Sequence, residues 1–150
     1  MSNAIGPIYR ERLWPAPWVF VATALVIPAS LLVFLPISTI AGIVCAIVLY
    51  GAIVATLLIT TPTVEVTVES FAAGRAHLPR DVVASAEAFE GVAATAERGT
   101  RLDARAWLLL RGWIPGLVRV QLDDPSDPTP YWLVSTRQPT KLAAALSAHR

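Results

Sequence analysis

From Leu13 to Val64 the chain contains no Asp, Glu, Lys, Arg or His. A helix that crosses a bilayer needs roughly 20 predominantly apolar residues, so an uncharged stretch of this length holds two spans. Charge is segregated around it. The chain is 55% hydrophobic, with a mean hydropathy of +0.57, yet apart from Arg10, Glu11 and Arg12 its charged residues lie after Val64. A secretory signal would have an apolar region of about 7–15 residues and then a small-residue cleavage site. Here the first apolar run is longer and a second follows almost at once.

The first span is expected over about 18–35. Trp14 and Trp18 stand where an aromatic belt meets the headgroups, and Pro17 suits a first helical turn, where no backbone donor is needed. Pro28 removes a hydrogen bond mid-span and predicts a kink, with the carbonyl of Ala24 freed. Pro36-Ile37-Ser38-Thr39 breaks the run, and the second span is expected over about 39–59. So short a link makes the helices antiparallel neighbours. Two small-residue stripes run along the second helix: Ala41, Cys45, Ala52 and Thr56 on one side, Gly42-Ala46 and Gly51-Ala55 on another. Such stripes let helices approach closely in lipid. Tyr50 lies mid-span, where its hydroxyl needs a partner. Arg10, Arg12, Arg75 and Arg80 flank the spans and the link between them is uncharged, which predicts both termini on the cytoplasmic side. Arg10, Arg12, Trp14 and Trp18 are the expected membrane-interface residues.

After the second span the pattern changes. Thr63 to Glu69 alternates apolar and polar residues, the signature of a half-buried strand. Further strands are expected over 71–78, 81–89, 106–110, 117–122 and 131–135, with Gly74 marking a bulge or close approach. A short helix is expected over 91–98, and an amphipathic helix begins at Pro139. The expected organisation is therefore an N-terminal cytoplasmic tail (1–13), a transmembrane hairpin (14–61) and a small cytoplasmic α+β domain (62–150). That domain has about six antiparallel strands in a partly open barrel, closed by the C-terminal helix.

Four segments together resemble a known family: Tyr-Arg-Glu-Arg-Leu-Trp (9–14), Arg-Gly-Trp (111–113), Pro-Tyr-Trp-Leu-Val-Ser-Thr-Arg (130–137) and Lys-Leu-Ala-Ala-Ala-Leu (141–146). They are similar to an uncharacterised family of small actinobacterial membrane proteins, a domain of unknown function. The resemblance spans almost the whole chain and implies a bacterial cytoplasmic (inner) membrane protein with no assigned activity. The strand order with a closing helix is also similar to bacterial pleckstrin-homology-like domains. That likeness is one of fold and does not give function.

Residues 65–150 are formally neutral, so no broad positive field is available for nucleic acid. Cys45 is the only cysteine and lies in an apolar run, which leaves neither disulfide nor thiolate metal cluster; no metal or cofactor is expected. A nucleophile needs a base within reach. His77 has no Ser or Cys close in sequence, and His149 is next to the last residue. No zinc-binding, paired-carboxylate or phosphate-loop motif is present. In pleckstrin-homology domains basic residues around the first hairpin hold phosphates; the matching turn here, Glu69-Ser70, is acidic. Neither span carries an ionisable side chain, which argues against transport. Arg111, Trp113, Tyr131, Trp132 and Arg137 are the residue types that anchor protein interfaces. The plainer reading places Trp113 and Trp132 in the core and Arg137 in an ion pair or cap. The function expected is a non-enzymatic, membrane-anchored interaction or accessory module, bound to lipid and to a protein partner or to itself. The rivals are a small membrane enzyme or enzyme subunit, and a weak sensor of anionic lipid.

Overall fold

The computed structural model describes residues 6–148; His149 lies outside them. The chain forms two compact units, Trp14–Thr61 and a second built from both flanks, Met1–Leu13 with Pro62–Arg150.

In the hairpin unit, helices α1 (Pro17–Thr23) and α2 (Val26–Phe34) make up the first expected span and α3 (Thr39–Ile59) the second. Pro17–Phe34 and Thr39–Ile59 are both long and apolar enough to cross a membrane. The interruption at Ala24-Leu25 has a local cause. Pro28 has no N–H, and its ring would strike the carbonyl four residues back. That carbonyl, Ala24 O, is not left free as the sequence suggested: it accepts the Ile27 N–H at 3.0 Å in a tighter turn. The second span starts where Ser38 caps it, its hydroxyl accepting the Ala41 N–H at 3.3 Å, the usual role of an N-cap serine.

The helices meet through the Gly42-Ala46 stripe, both residues of which are buried. A Cβ at Gly42 would sit 3.2 Å from Phe34 Cβ and 3.4 Å from a Leu31 methyl. In the other stripe Ala41 and Cys45 are half-buried, while Ala52 and Thr56 are exposed. Tyr50 finds its partner on the first span, donating to Phe20 O at 3.2 Å. Val21, Leu32 and Ile47 point outward; the core helix of a soluble protein would bury such side chains.

Among the described residues the second unit has eight strands in two four-stranded sheets. The first sheet is an antiparallel meander of β1 (Tyr9–Arg12), β2 (Thr63–Val66), β3 (Ser70–Ala73) and β4 (Ala76–Pro79). The expected tail is thus, over Tyr9–Arg12, a strand. It pairs with β2 from Tyr9↔Val66 to Arg12↔Thr63, and Leu13 N–H donates to Pro62 O at 3.0 Å. The spans are an insertion between two paired strands. Gly74 is not a bulge inside one long strand. It opens the two-residue loop that separates β3 from β4, at φ +64°, a backbone region that glycine enters at little cost.

A short 3₁₀ turn at Arg80–Val82 leads into the second sheet. Its strands are β5 (Val83–Phe89), β6 (Trp107–Leu109), β7 (Leu117–Leu122) and β8 (Tyr131–Ser135), in the order β5-β7-β8-β6. The expected antiparallel, partly closed barrel is corrected on two points: both sheets are open, and β6 runs parallel to β8. The turn-forming residues 111–116 form no hairpin between β6 and β7; the chain passes beyond β8, which takes the place between them.

Helices α4 (Gly91–Arg98) and α5 (Pro139–Ser147) complete the unit. The main core joins Leu13, Val64, Val66 and Phe71 of the first sheet to Val118, Val120, Trp132 and Val134 of the second, with Leu142 and Leu146 of α5. Phe89, Leu117, Tyr131 and Leu133 form a smaller cluster with Ala94 of α4. The second sheet is therefore covered on both faces, and all five residues of β8 are buried.

Candidate functional site

The five residues expected to form a partner surface do not share one. Tyr131 and Trp132 are consecutive on β8, so their side chains leave opposite faces of the sheet, and both faces are covered. Trp132 packs 4.3 Å from Trp107, centroid to centroid, in the main core. Tyr131 belongs to the smaller cluster, and its hydroxyl accepts the Asp103 N–H at 2.8 Å. Trp113 is half-buried against the main core. Arg111 turns back on the carbonyl of Leu110 at 3.0 Å, and only Arg137 has a largely exposed side chain. Of the interface residues, Arg10 projects from β1 and lies 3.6 Å from Glu65, and Arg12 is exposed on the same strand. Trp14 and Trp18 are exposed in the hairpin unit. His77 is exposed on β4, opposite Ala72.

Two charged clusters had no signal in the sequence. In the first, the Glu97 carboxylate is 1% exposed. It accepts from Arg119 at 3.1 Å, and Arg101 stands 3.7 Å away. Arg119 also bonds Glu87 at 2.9 Å and lies over the Phe89 ring at 5.1 Å. A buried carboxylate is tolerated when paired and hydrogen-bonded in this way. Through Arg119 the network joins Glu97 of α4 to β7 and, by Glu87, to β5, so it ties the helix to the sheet.

The second cluster gathers around Glu11. One carboxylate oxygen accepts from the Tyr9 hydroxyl at 2.7 Å and the Thr136 hydroxyl at 2.5 Å, and the other accepts the Arg137 N–H at 2.9 Å. Thr136 in turn accepts the Gln138 N–H at 3.0 Å. The strand preceding the spans is thereby clasped to the link between β8 and α5. Burial holds the Tyr9 phenol well above its ordinary pKa; the hydrogen bond with Thr136 opposes this, and the bond to Glu11 with its negative charge adds to it.

The cleft of this unit lies elsewhere. It has a volume of about 550 Å³ and runs along residues 83–86 of β5, past Leu146 and Ser147 at the end of α5, with Asp81 and Asp123 at its wall. Arg80 also lines it and makes three hydrogen bonds to carbonyls: to Thr67 O at 2.9 Å, and to Ala145 O and Leu146 O at 3.1 and 3.0 Å. It caps the last turn of α5, where backbone carbonyls lack helical partners. Asp123 is fixed by its N–H, which donates to Val82 O at 2.8 Å. Among the described residues no group of three or more His, Cys, Asp or Glu is placed to hold a metal ion.

Comparison with known proteins gives one match. The family described as Protein of unknown function (DUF3093) matches residues 8–146. No curated protein and no solved structure matches the chain.

Proposed function

The chain belongs to the DUF3093 family of proteins of unknown function, and from that premise we propose that it is a non-enzymatic interaction module held at the cytoplasmic face of a bacterial inner membrane. One observation carries the reading: β1, before the spans, is paired in register with β2, after them. Two helices of spanning length lie between these strands. A hairpin that crosses twice returns the chain to the side it left, as this pairing requires. The arginines at 10, 12, 75 and 80 support the cytoplasm as that side, by the bias of basic residues near span ends. The charged clusters around Glu97 and Glu11 hold elements together, and neither has an activated nucleophile, which supports binding rather than catalysis. Two sheets with a closing C-terminal helix keep the pleckstrin-homology-like description within this proposal. The domain's formal neutrality and acidic first hairpin favour a protein partner over anionic lipid.

Reporters active only in the cytoplasm, fused in turn to the N- and C-terminus, test the reading. Activity from both is expected. Activity at one end alone would break the β1–β2 pairing across the membrane, and activity at neither would move the domain to the outer face.

A further inference from the structure

Residues 65–150 are formally neutral, but the sum hides a separation of charge along the second unit. One end of this unit is where the chain leaves for the two long apolar helices and returns from them. β1 stops there at Arg12, paired with Thr63. The two-residue loop Gly74-Arg75 lies at the same end, because the Gly74 N–H donates to Thr63 O at 2.9 Å. β6 ends beside it: a Cβ on Gly74 would lie 3.6 Å from Pro62 Cβ and 3.9 Å from a Leu109 methyl. β8 runs parallel to β6 and ends there too. At that point the Arg111 N–H donates to the Ser135 hydroxyl at 3.0 Å and the Arg137 N–H to Glu11 at 2.9 Å. α5 starts from the same place and runs away from it, since its last turn is capped by Arg80, which follows the far end of β4.

Arg12, Arg75, Arg111, Arg137 and Lys141 are thereby gathered at one end, and all but the half-buried Arg111 are exposed. The acids on that side are Glu11, held in its clasp, and Glu90, which follows the outer strand β5. The opposite end carries Glu69 in the turn from β2 to β3, Asp81 in the 3₁₀ turn, and Asp123, Asp124 and Asp127 in the loop from β7 to β8, with Arg80 among them. The acidic first hairpin is thus at the far end from the five cations and does not cancel them.

The chain itself says what the cationic end meets. Three residues, 14–16, separate the buried Leu13 from the helix that begins at Pro17, and three, 60–62, separate Ile59 from β2. Four peptide steps reach about 14 Å at most, so spans on both sides keep this end at the headgroups. Each lysine or arginine so placed favours an anionic surface about fivefold.

We propose that this end of the domain docks on anionic lipid headgroups, with Arg75, Arg111 and Lys141 joining Arg12 and Arg137 at the contact, so that the domain stands on the bilayer with its acidic end outward. The proposal rests on the anchored-module reading. It gives the module an orientation and leaves the rest of its surface to a protein partner.

The test is hydrogen exchange of the full chain in lipid nanodiscs, read by mass spectrometry. Discs of phosphatidylcholine are compared with discs containing phosphatidylglycerol. Slower exchange over 73–76 and 110–114 is expected in the anionic discs, with no change over 123–127. Salt at about 0.5 M, where the screening length falls to about 4 Å, should remove the difference. Arg75→Gln with Lys141→Gln should lower the ratio of docked to undocked domain about 25-fold, at about fivefold for each cation, and return exchange to the phosphatidylcholine rate. Unchanged exchange in β7 and β8 shows that this variant is folded. Equal exchange in the two discs, or protection over 123–127 instead, would overturn the proposal. So would the same protection in phosphatidylcholine discs on adding inorganic phosphate, which would assign the cations to a soluble anion. Failure of the chain to enter discs of either kind would remove the anchoring as well, whereas entry without dependence on headgroup charge removes the docking alone.

Discussion

The clasp at Glu11 makes a quantitative prediction about how the strand before the spans is held. Replacing Glu11 by Ala removes an acceptor that serves the Tyr9 hydroxyl, the Thr136 hydroxyl and the Arg137 N–H. Bonds to a charged acceptor are worth about 1.5–3 kcal/mol when buried. Glu11 is half-buried, and solvent screening brings each toward about 1 kcal/mol. The two hydroxyls also retain one another at 3.1 Å, which recovers part of the loss. The net cost of Glu11→Ala is therefore about 2 kcal/mol, while Glu11→Gln, which keeps one acceptor, should cost about 1 kcal/mol. Urea unfolding of the full chain in non-ionic detergent measures this. Trp107 and Trp132, whose tilted rings are in contact at the core, report on the domain by fluorescence. The cycle with Thr136→Val should show coupling of about 1 kcal/mol, because both side chains belong to one hydrogen-bonded group. An Ala variant within about 0.5 kcal/mol of the parent, the range of an ordinary surface substitution, would refute the clasp and with it the idea that β1 is fastened at both edges.

Other substitutions probe separate contacts. The raised Tyr9 phenol stabilises the fold in its protonated form, so its contribution is fully present below about pH 10 and is lost above it as the folded-state group titrates. Tyr9→Phe should flatten that alkaline decline relative to the parent in pH-dependent unfolding. Gly116→Ala should cost about 2 kcal/mol by overpacking, since its Cβ would lie 2.7 Å from Thr136 O and 3.1 Å from the Pro139 ring; thermal unfolding checks this. In the hairpin, Ala46→Leu should lower the yield of folded protein from detergent, and Ala52→Leu should not, because Ala46 is buried between the helices and Ala52 is exposed.

What the sequence made legible follows from the range over which each feature is determined. The span at Thr39–Ile59 is written in its own composition and in the serine that caps it. Strand β2 is likewise written in its alternation, although it stops at Val66 because Thr67 and Ser70 bond each other across a turn. Strand β1 has no such signature. Tyr-Arg-Glu-Arg contains one apolar residue, and the position alternating with Tyr9 is a glutamate with two partners that lie 125 and 126 residues further on. Sheet closure and the parallel pairing of β6 with β8 are also set between distant strands, so alternation could supply the strands without their order. The aromatic and arginine residues at 111–137 fail as a surface for a related reason. Periodicity shows which residues share a face of β8 but not that both faces are covered, one by the first sheet and α5, the other by α4.

The position of the spans within the domain has a consequence that can be isolated. Arg12 pairs with Thr63, and Leu13 N–H reaches Pro62 O at 3.0 Å, so the ends of the insertion are already at hairpin distance. A two-residue Asn-Gly loop, which suits the twist of paired strands, should therefore replace residues 14–61 without disturbing the register. That chain should be soluble and show mainly sheet by circular dichroism. Residues 63–150 alone should unfold more readily, because they lack Leu13, fully buried in the core, and the Glu11 clasp; loss of one buried leucine by itself costs about 2–5 kcal/mol. Equal stability of the two chains would mean that β1 adds nothing to the domain, and the proposal that both flanks lie on one side of a membrane would lose its energetic basis.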